Sequence, residues 1–257
     1  MFTPPIADTY QTLPRRVGWI SRHAPSLAFY TRVVGVVVRA AWTTRQGYSD
    51  ALWVEDSARF VRAAEATGLC FHVEGLRHYA SLPGPCVVVA NHMSTLETFT
   101  LPALLAAHRP VSFVVKESLL RYPIFRHVLC RTAPIAVSRQ NPRHDLETIL
   151  TQGVQRIHAG RSIVVFPQTT RAQGIDPAQF NSIGVKLARR AQVPVVPLAV
   201  DTRAWGTGGL IKDFGPISPH LPVRFAFGSP LTVSGNGRHE HAQVLEFIQT
   251  TLAGWGI

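Results

Sequence analysis

His92 and Glu97 are the two residue types that make a general base and the acid that orients it, and they lie five positions apart in Asn91-His92-Met93-Ser94-Thr95-Leu96-Glu97. That run follows directly on CVVVA at 86–90, which is apolar throughout and reads as a central strand covered on both faces. If Ser94 or Thr95 opens a helix, Glu97 falls in its first turn and its carboxylate can converge on the imidazole. A carboxylate that accepts the proton of one ring nitrogen fixes the tautomer, leaving the other nitrogen to take a proton from a hydroxyl. For an isolated HxxxxE spacing the plainer reading, a strand-end histidine satisfying backbone groups and a solvated glutamate, is the stronger one, so the catalytic reading depends on the rest of the chain.

A second polar run, Phe166-Pro167-Gln168-Thr169-Thr170-Arg171, follows the apolar SIVVF at 162–166. It puts Gln168, Thr169, Thr170 and Arg171 at a strand end, with an arginine and two hydroxyls suited to phosphate oxygens. Lys116 follows VSFVV at 111–115, and Arg139 follows PIAV at 134–137. Singly, each cation is an ordinary solvated strand end. If the four strands run parallel, their ends form one basic rim beside His92, at the edge where open α/β sheets bind ligands.

These residues need a frame, and the periodicity supplies one. LCFHVEG at 69–75 alternates as a half-buried strand, and VPVVPLAV at 193–200 and VRFAF at 223–227 read as further strands. Helical patterns fall at 146–160, at 185–191 and in HAQVLEFIQTTLAGW near the end. The alternation predicts an α/β fold, with a mostly parallel central sheet flanked by helices. Residues 1–25 read as an irregular arm, 26–67 as an N-terminal helical segment and 68–257 as the α/β domain. Within 26–42, Arg32, Gly35 and Arg39 share a narrow helical stripe, and Phe29, Tyr30, the valines and Trp42 cover most of the rest. That pattern fits a membrane-interface helix and a core-packed helix exposing one arginine stripe equally well.

Composition narrows the function classes. A chain 46% hydrophobic and 16% charged is not globally disordered. Three cysteines without CxxC spacing, Cys70, Cys86 and Cys130, suit a reducing compartment. The formal charge of +11 favours phosphate-bearing or acidic partners. No run reaches the roughly 18 apolar residues of a spanning helix, and the first residues do not resemble a secretory signal. A GxSxG elbow is absent, since Gly47-Tyr48-Ser49 continues with Asp50-Ala51. His239-Glu240-His241 has the wrong spacing for a helical zinc pair, so no metal is expected. A nucleic-acid partner rests on charge alone and is not expected.

Asn91-His92 with Glu97, then FPQTTR at 166–171, then VPVVPLAV resemble, in order and spacing, the blocks NHxxxxD, FPEGTR and a late VPVxPV-like strand of the glycerolipid (lysophosphatidic acid type) acyltransferases. KESLLRYPIF at 116–125 resembles the family's segment after the second strand, and Arg139 its arginine block; the likeness spans roughly 69–232. It implies His92 as general base oriented by Glu97, with Arg139 and Arg171 binding the acceptor's phosphate; Lys116, Gln168, Thr169 and Thr170, at the same strand ends, are expected to complete the substrate-binding set. It further implies no bound cofactor, acyl-coenzyme A or acyl carrier protein as donor, and a lysophospholipid acceptor. The expected location is peripheral, on an anionic membrane surface at the cytoplasmic face. Glu97 stands where the family has aspartate, Gln168 where it has glutamate and Thr169 where it has glycine. A different lysolipid, an amine-bearing acceptor and a non-catalytic lipid-binding relative therefore remain open.

Overall fold

The computed structural model describes residues 8–44, 47–121, 126–168, 170–209 and 212–257. Thr169 and the end of the 116–125 segment fall outside them. In chain order the elements are β1 (Tyr10–Gln11), α1 (Trp19–His23), α2 (Pro25–Thr43), α3 (Asp50–Glu65), β2 (Phe71–Glu74), α4 (Arg77–Ala80), β3 (Val87–Ala90), α5 (Leu96–Leu105) and β4 (Val111–Lys116). There follow α6 (Arg126–Leu129), β5 (Ile135–Val137), α7 (Pro142–His158), β6 (Ser162–Val165), α8 (Ile183–Ala191), β7 (Val195–Asp201), β8 (Val223–Phe227) and α9 (Arg238–Gly254).

The strands form one sheet in the order β1-β2-β8-β7-β3-β6-β4-β5. From β7 to β5 every neighbour is parallel, whereas β8 runs against β7 and β2 runs with β8. The sheet is thus mostly parallel, and the C-terminal ends of β3, β6, β4 and β5 open on one rim. Alternation along β3 sends Val88 and Ala90 to one core and Val87 and Val89 to the other. Helices α2, α3 and α5 cover the first face with Phe29, Phe60 and Leu101, and α7, α8 and α9 cover the second with Ile149, Leu187 and Ile248. The N-terminal helical segment therefore shares its core with the sheet.

Helices α3 and α7 start at polar caps, α7 a few residues ahead of the helical pattern read from 146. Ser49 accepts the Leu52 N–H at 3.3 Å to open α3, and Asn141 accepts the His144 N–H at 3.2 Å to open α7. The stretch read as an irregular arm carries two regular pieces, β1 and α1. Tyr10 and Gln11 pair with Val73 and His72, and Tyr10 and Thr12 hydrogen-bond to the buried Glu65 of α3. A two-residue strand shows no period, so local pattern does not reveal it.

Helix α2 matches neither sequence reading completely. Ala28, Phe29, Val33 and Ala40 are buried against the core, yet Leu27, Val34, Val38 and Trp42 are 57–62% exposed. The exposed side thus carries apolar residues together with Arg32 and Gly35 of the expected stripe. Arg39 instead turns toward α3, where its ion pairs with Glu55 and Asp56 hold it. Trp19 and Ile20 of α1 are also exposed. No helix among the described residues is long and apolar enough to cross a membrane.

Candidate active site

Strand β3 delivers His92 to the rim, and α5 returns Glu97 beneath it. His92 Nδ1 lies 2.8 Å from Glu97 Oε1, with the histidine side chain 12% exposed and the glutamate fully buried. The same Glu97 oxygen accepts the backbone N–H groups of Met93 (2.7 Å) and Ser94 (3.0 Å). Its other oxygen accepts the hydroxyls of Ser94 (3.1 Å) and Thr202 (2.6 Å). Burial alone pushes the Glu97 carboxyl up. The His92 hydrogen bond and charge, the Thr202 hydroxyl and the Ser94 N–H outweigh it and hold the group below its ordinary range. A carboxylate next to Nδ1 keeps the proton there and leaves Nε2 as the basic nitrogen.

The backbone around His92 is fixed from both sides. Asn91 bridges to β7, accepting the Val200 N–H at 2.8 Å and donating to the Val200 carbonyl at 2.9 Å. The His92 N–H donates to Gln168 Oε1 at 2.9 Å, and the His92 carbonyl accepts the Ala172 N–H at 3.0 Å. The imidazole stacks on Phe166, ring centres 4.5 Å apart. Gln168 also donates to the Gly174 carbonyl at 3.1 Å. A glutamate there could accept from His92 but could not donate to Gly174, so the amide suits this position as a tie between two loops.

Lys116, Arg139 and Arg171 join His92 around a cavity of about 170 Å³. Its cationic rim gives way to an apolar interior that includes Val36, Val37, Phe60, Phe99 and Phe113. On the α3 wall, Asp56 accepts hydrogen bonds from Arg39 (3.3 Å) and Tyr48 (3.2 Å). Burial raises its carboxyl above the ordinary value, despite these two partners. Of the other residues expected at the site, Gln168 is buried behind His92 rather than on the wall, and Thr170 is exposed outside the lining. Thr169 lies outside the described residues.

Arg139 occupies the left-handed region at φ 60°, an uncommon conformation for a side chain of this size. Asp145, in the first turn of α7, secures it. One carboxylate oxygen accepts the Ser138 N–H and hydroxyl at 2.9 and 3.1 Å, and the other accepts the Arg139 N–H at 2.7 Å. Burial and then the nearby Arg171 charge hold the Arg139 guanidinium below its usual value, while Asp145 pulls the other way. Arg139 and Arg171 thus stand close together on the cavity wall, where Arg171 is paired with Asp213 at 2.6 Å.

Sequence reasoning placed Asn91 and Ser94 beside His92 without giving either a bond at the site, and it missed Asp145, Thr202 and Asp213. Asp145 had a signal, being an acid just inside a helix that opens Asn141-Pro142. Thr202 had none, since it comes from the end of β7, 105 residues from Glu97.

The family model described as Acyltransferase matches residues 70–201, just over half of the chain. A 1-acyl-sn-glycerol-3-phosphate acyltransferase of Pseudomonas aeruginosa is 33% identical over 151 residues, which cover 58% of this chain and 57% of that protein. The chloroplastic 1-acyl-sn-glycerol-3-phosphate acyltransferase BAT2 of Brassica napus is 27% identical over 160 residues, 62% of this chain and 44% of that one. The chain thus spans about half the length of the curated relatives it matches. The crystal structure of PlsC, the 1-acyl-sn-glycerophosphate (LPA) acyltransferase of Thermotoga maritima, has the same fold. Its TM-score is 0.69 over 90% of this chain and 94% of that one, at 17% identity.

Proposed function

The chain belongs to the acyltransferase family, and from that premise we propose that it moves a fatty acyl group from a thioester to a hydroxyl of a phosphorylated lysolipid. The observation that carries this reading is the His92–Glu97 pair at the mouth of a cavity that is cationic at the rim and apolar within. Nε2 of His92 takes the acceptor's hydroxyl proton as that oxygen attacks the thioester carbonyl. The tetrahedral intermediate collapses with cleavage of the C–S bond, and the imidazolium returns its proton to the leaving thiolate. Glu97 stays ionised and stabilises the imidazolium between the two transfers. Arg139 and Arg171 receive the acceptor's phosphate, with Lys116 adding positive charge, and the apolar interior takes an acyl chain. Either acyl-coenzyme A or acyl carrier protein serves this chemistry as donor.

Thiol release from both donors, measured against a panel of lysolipids, tests the reading. Release that depends on the acceptor supports the transfer. Release without acceptor means a thioesterase, and silence from folded protein that still binds lipid means a binding protein; either result ends the proposal.

Asp145 serves this reading as a positioning residue. Asp145→Ala frees the turn that carries Arg139, so the KM for the phosphorylated acceptor is expected to rise about tenfold with kcat within about twofold. An equal fall in kcat with unchanged KM would remove Arg139 from acceptor binding.

We further propose that α1 and α2 lie on the anionic cytoplasmic face of a membrane. Exposed Trp19, Ile20, Leu27, Val34, Val38 and Trp42 would enter the interface, and the chain's positive charge matches that leaflet. The double variant Val38→Glu/Trp42→Glu is expected to weaken binding to anionic vesicles at least tenfold in flotation, on the order of 1.5–3 kcal/mol per buried apolar side chain. Unchanged flotation would place the contact elsewhere.

A further inference from the structure

Arg171 already has a partner on the cavity wall. Its Nη1 lies 2.6 Å from Oδ1 of Asp213, with the two side chains 26% and 22% exposed. Asp213 sits on a strap between β7 and β8 whose base is closed by a bridge from Trp205 to Ile217 and by the Gly206 N–H donating to the Pro216 carbonyl at 2.9 Å. Gly215 fits that closure because it has no Cβ, which would stand 1.9 Å from the Gly206 carbonyl oxygen. The strap is also tied to α2. The Tyr30 hydroxyl donates to the Gly215 carbonyl at 2.5 Å, and Ser26 accepts the Ile217 N–H at 3.0 Å. These ties hold the backbone of the strap two residues from Asp213.

That has a chemical consequence at the rim. An anionic oxygen drawn to Arg139 and Arg171 arrives beside a fixed negative charge. A fully ionised phosphate gains nothing from Asp213 and is repelled by it. A headgroup with a hydrogen-bond donor next to its anionic oxygen turns the same carboxylate into a contact, since a carboxylate has roughly four acceptor sites and the ion pair leaves some of them open.

We propose that Asp213 is a specificity-determining residue that reads a donor on the acceptor's headgroup, while Arg139 and Arg171 hold the adjacent anionic oxygen. The shared chemistry is an anion beside a donor, supplied by the P–OH of a singly protonated phosphate or by the ammonium of an amine-bearing head. It rests on the phosphorylated-acceptor reading above and names the headgroup that reading leaves open.

The test is calorimetric binding without any thioester, so a failure of acyl transfer does not bear on it. Water-soluble, short-chain lysolipids with phosphate, phosphoethanolamine and methyl phosphate heads are compared near pH 6, where roughly half of a phosphate monoester carries a P–OH. Wild type is expected to bind one of the first two about 5–10-fold more tightly than the methyl diester, which has no donor, and whichever it is identifies the source. Asp213→Asn is expected to bring that advantage within about twofold. The proposal is overturned if the methyl diester binds wild type equally well, if no head binds, or if the advantage survives in Asp213→Asn. Loss of all binding in Asp213→Asn at unchanged melting temperature also overturns it, because Asp213 would then merely prop Arg171.

Discussion

His92→Ala is expected to lower kcat/KM for acyl transfer by about 10²–10⁴-fold while leaving the chain folded and able to bind its acceptor. The fold should survive because what fixes this position is mostly backbone. The His92 N–H keeps Gln168, its carbonyl keeps Ala172, and the neighbouring Asn91 keeps both of its bonds to Val200. Glu97 loses one donor but retains the N–H groups of Met93 and Ser94 and the hydroxyls of Ser94 and Thr202. The lost ring contact is with Phe166, which stays packed near Phe113. Acceptor binding should survive because the cations come from other strands. Thiol release gives the rate, and calorimetry with the acceptor gives the affinity. Activity above about a tenth of wild type would mean that another group removes the proton.

How the four strand ends meet is largely legible in the sequence. His92, Lys116, Arg139 and Arg171 each follow an apolar run, and alternation with helices implies parallel strands. Their meeting follows from β3, β6, β4 and β5 being consecutive and parallel. The controls on those side chains were not legible, because they come from distant segments. Thr202 reaches Glu97 from the end of β7, and Asp213 reaches Arg171 from the strap before β8. Gln168 shows a different limit. Its place in a polar run beside Arg171 suggested ligand contact, yet its amide points back into the frame, where it bonds His92 and Gly174. A polar residue after a strand can face the cavity or the adjoining loop, and periodicity does not choose between them. Helix α2 shows the same limit for apolar residues. Its helical run is plain, but which side is covered depends on α3 and on the strap, which takes Ser26 and Tyr30.

Glu97, which stands at the aspartate position of the block this segment resembles, gives the sharper test of the proposed dyad. In the structure the longer side chain reaches His92 and also gathers the Met93 and Ser94 N–H groups, acting as an anion held at the start of α5. Glu97→Gln keeps nearly the same shape. Its amide oxygen suits the position of Oε1, where three donors converge, and its NH2 can donate to the Thr202 hydroxyl. The His92 tautomer is then kept and the negative charge is lost. A fall in kcat of about 10²-fold is expected, with acceptor KM nearly unchanged, because the imidazolium formed during transfer loses its counter-charge.

The same substitution carries a signature in stability. The folded carboxyl lies below its ordinary value, and an unfolded glutamate titrates at about 4.3. The folded state therefore binds fewer protons than the unfolded state between those two values, and stability rises with pH there. The contribution of Glu97 is fully present above the unfolded value and is lost as pH falls through the lower, folded one. Urea unfolding at several pH values should show wild type more stable than Glu97→Gln at neutral pH, with the gap closing below about pH 4. A gap that widens toward acid would mean that burial, not the donor cluster, dominates this carboxyl. Near-wild-type turnover in Glu97→Gln would show that the carboxylate's charge has no part in the transfer.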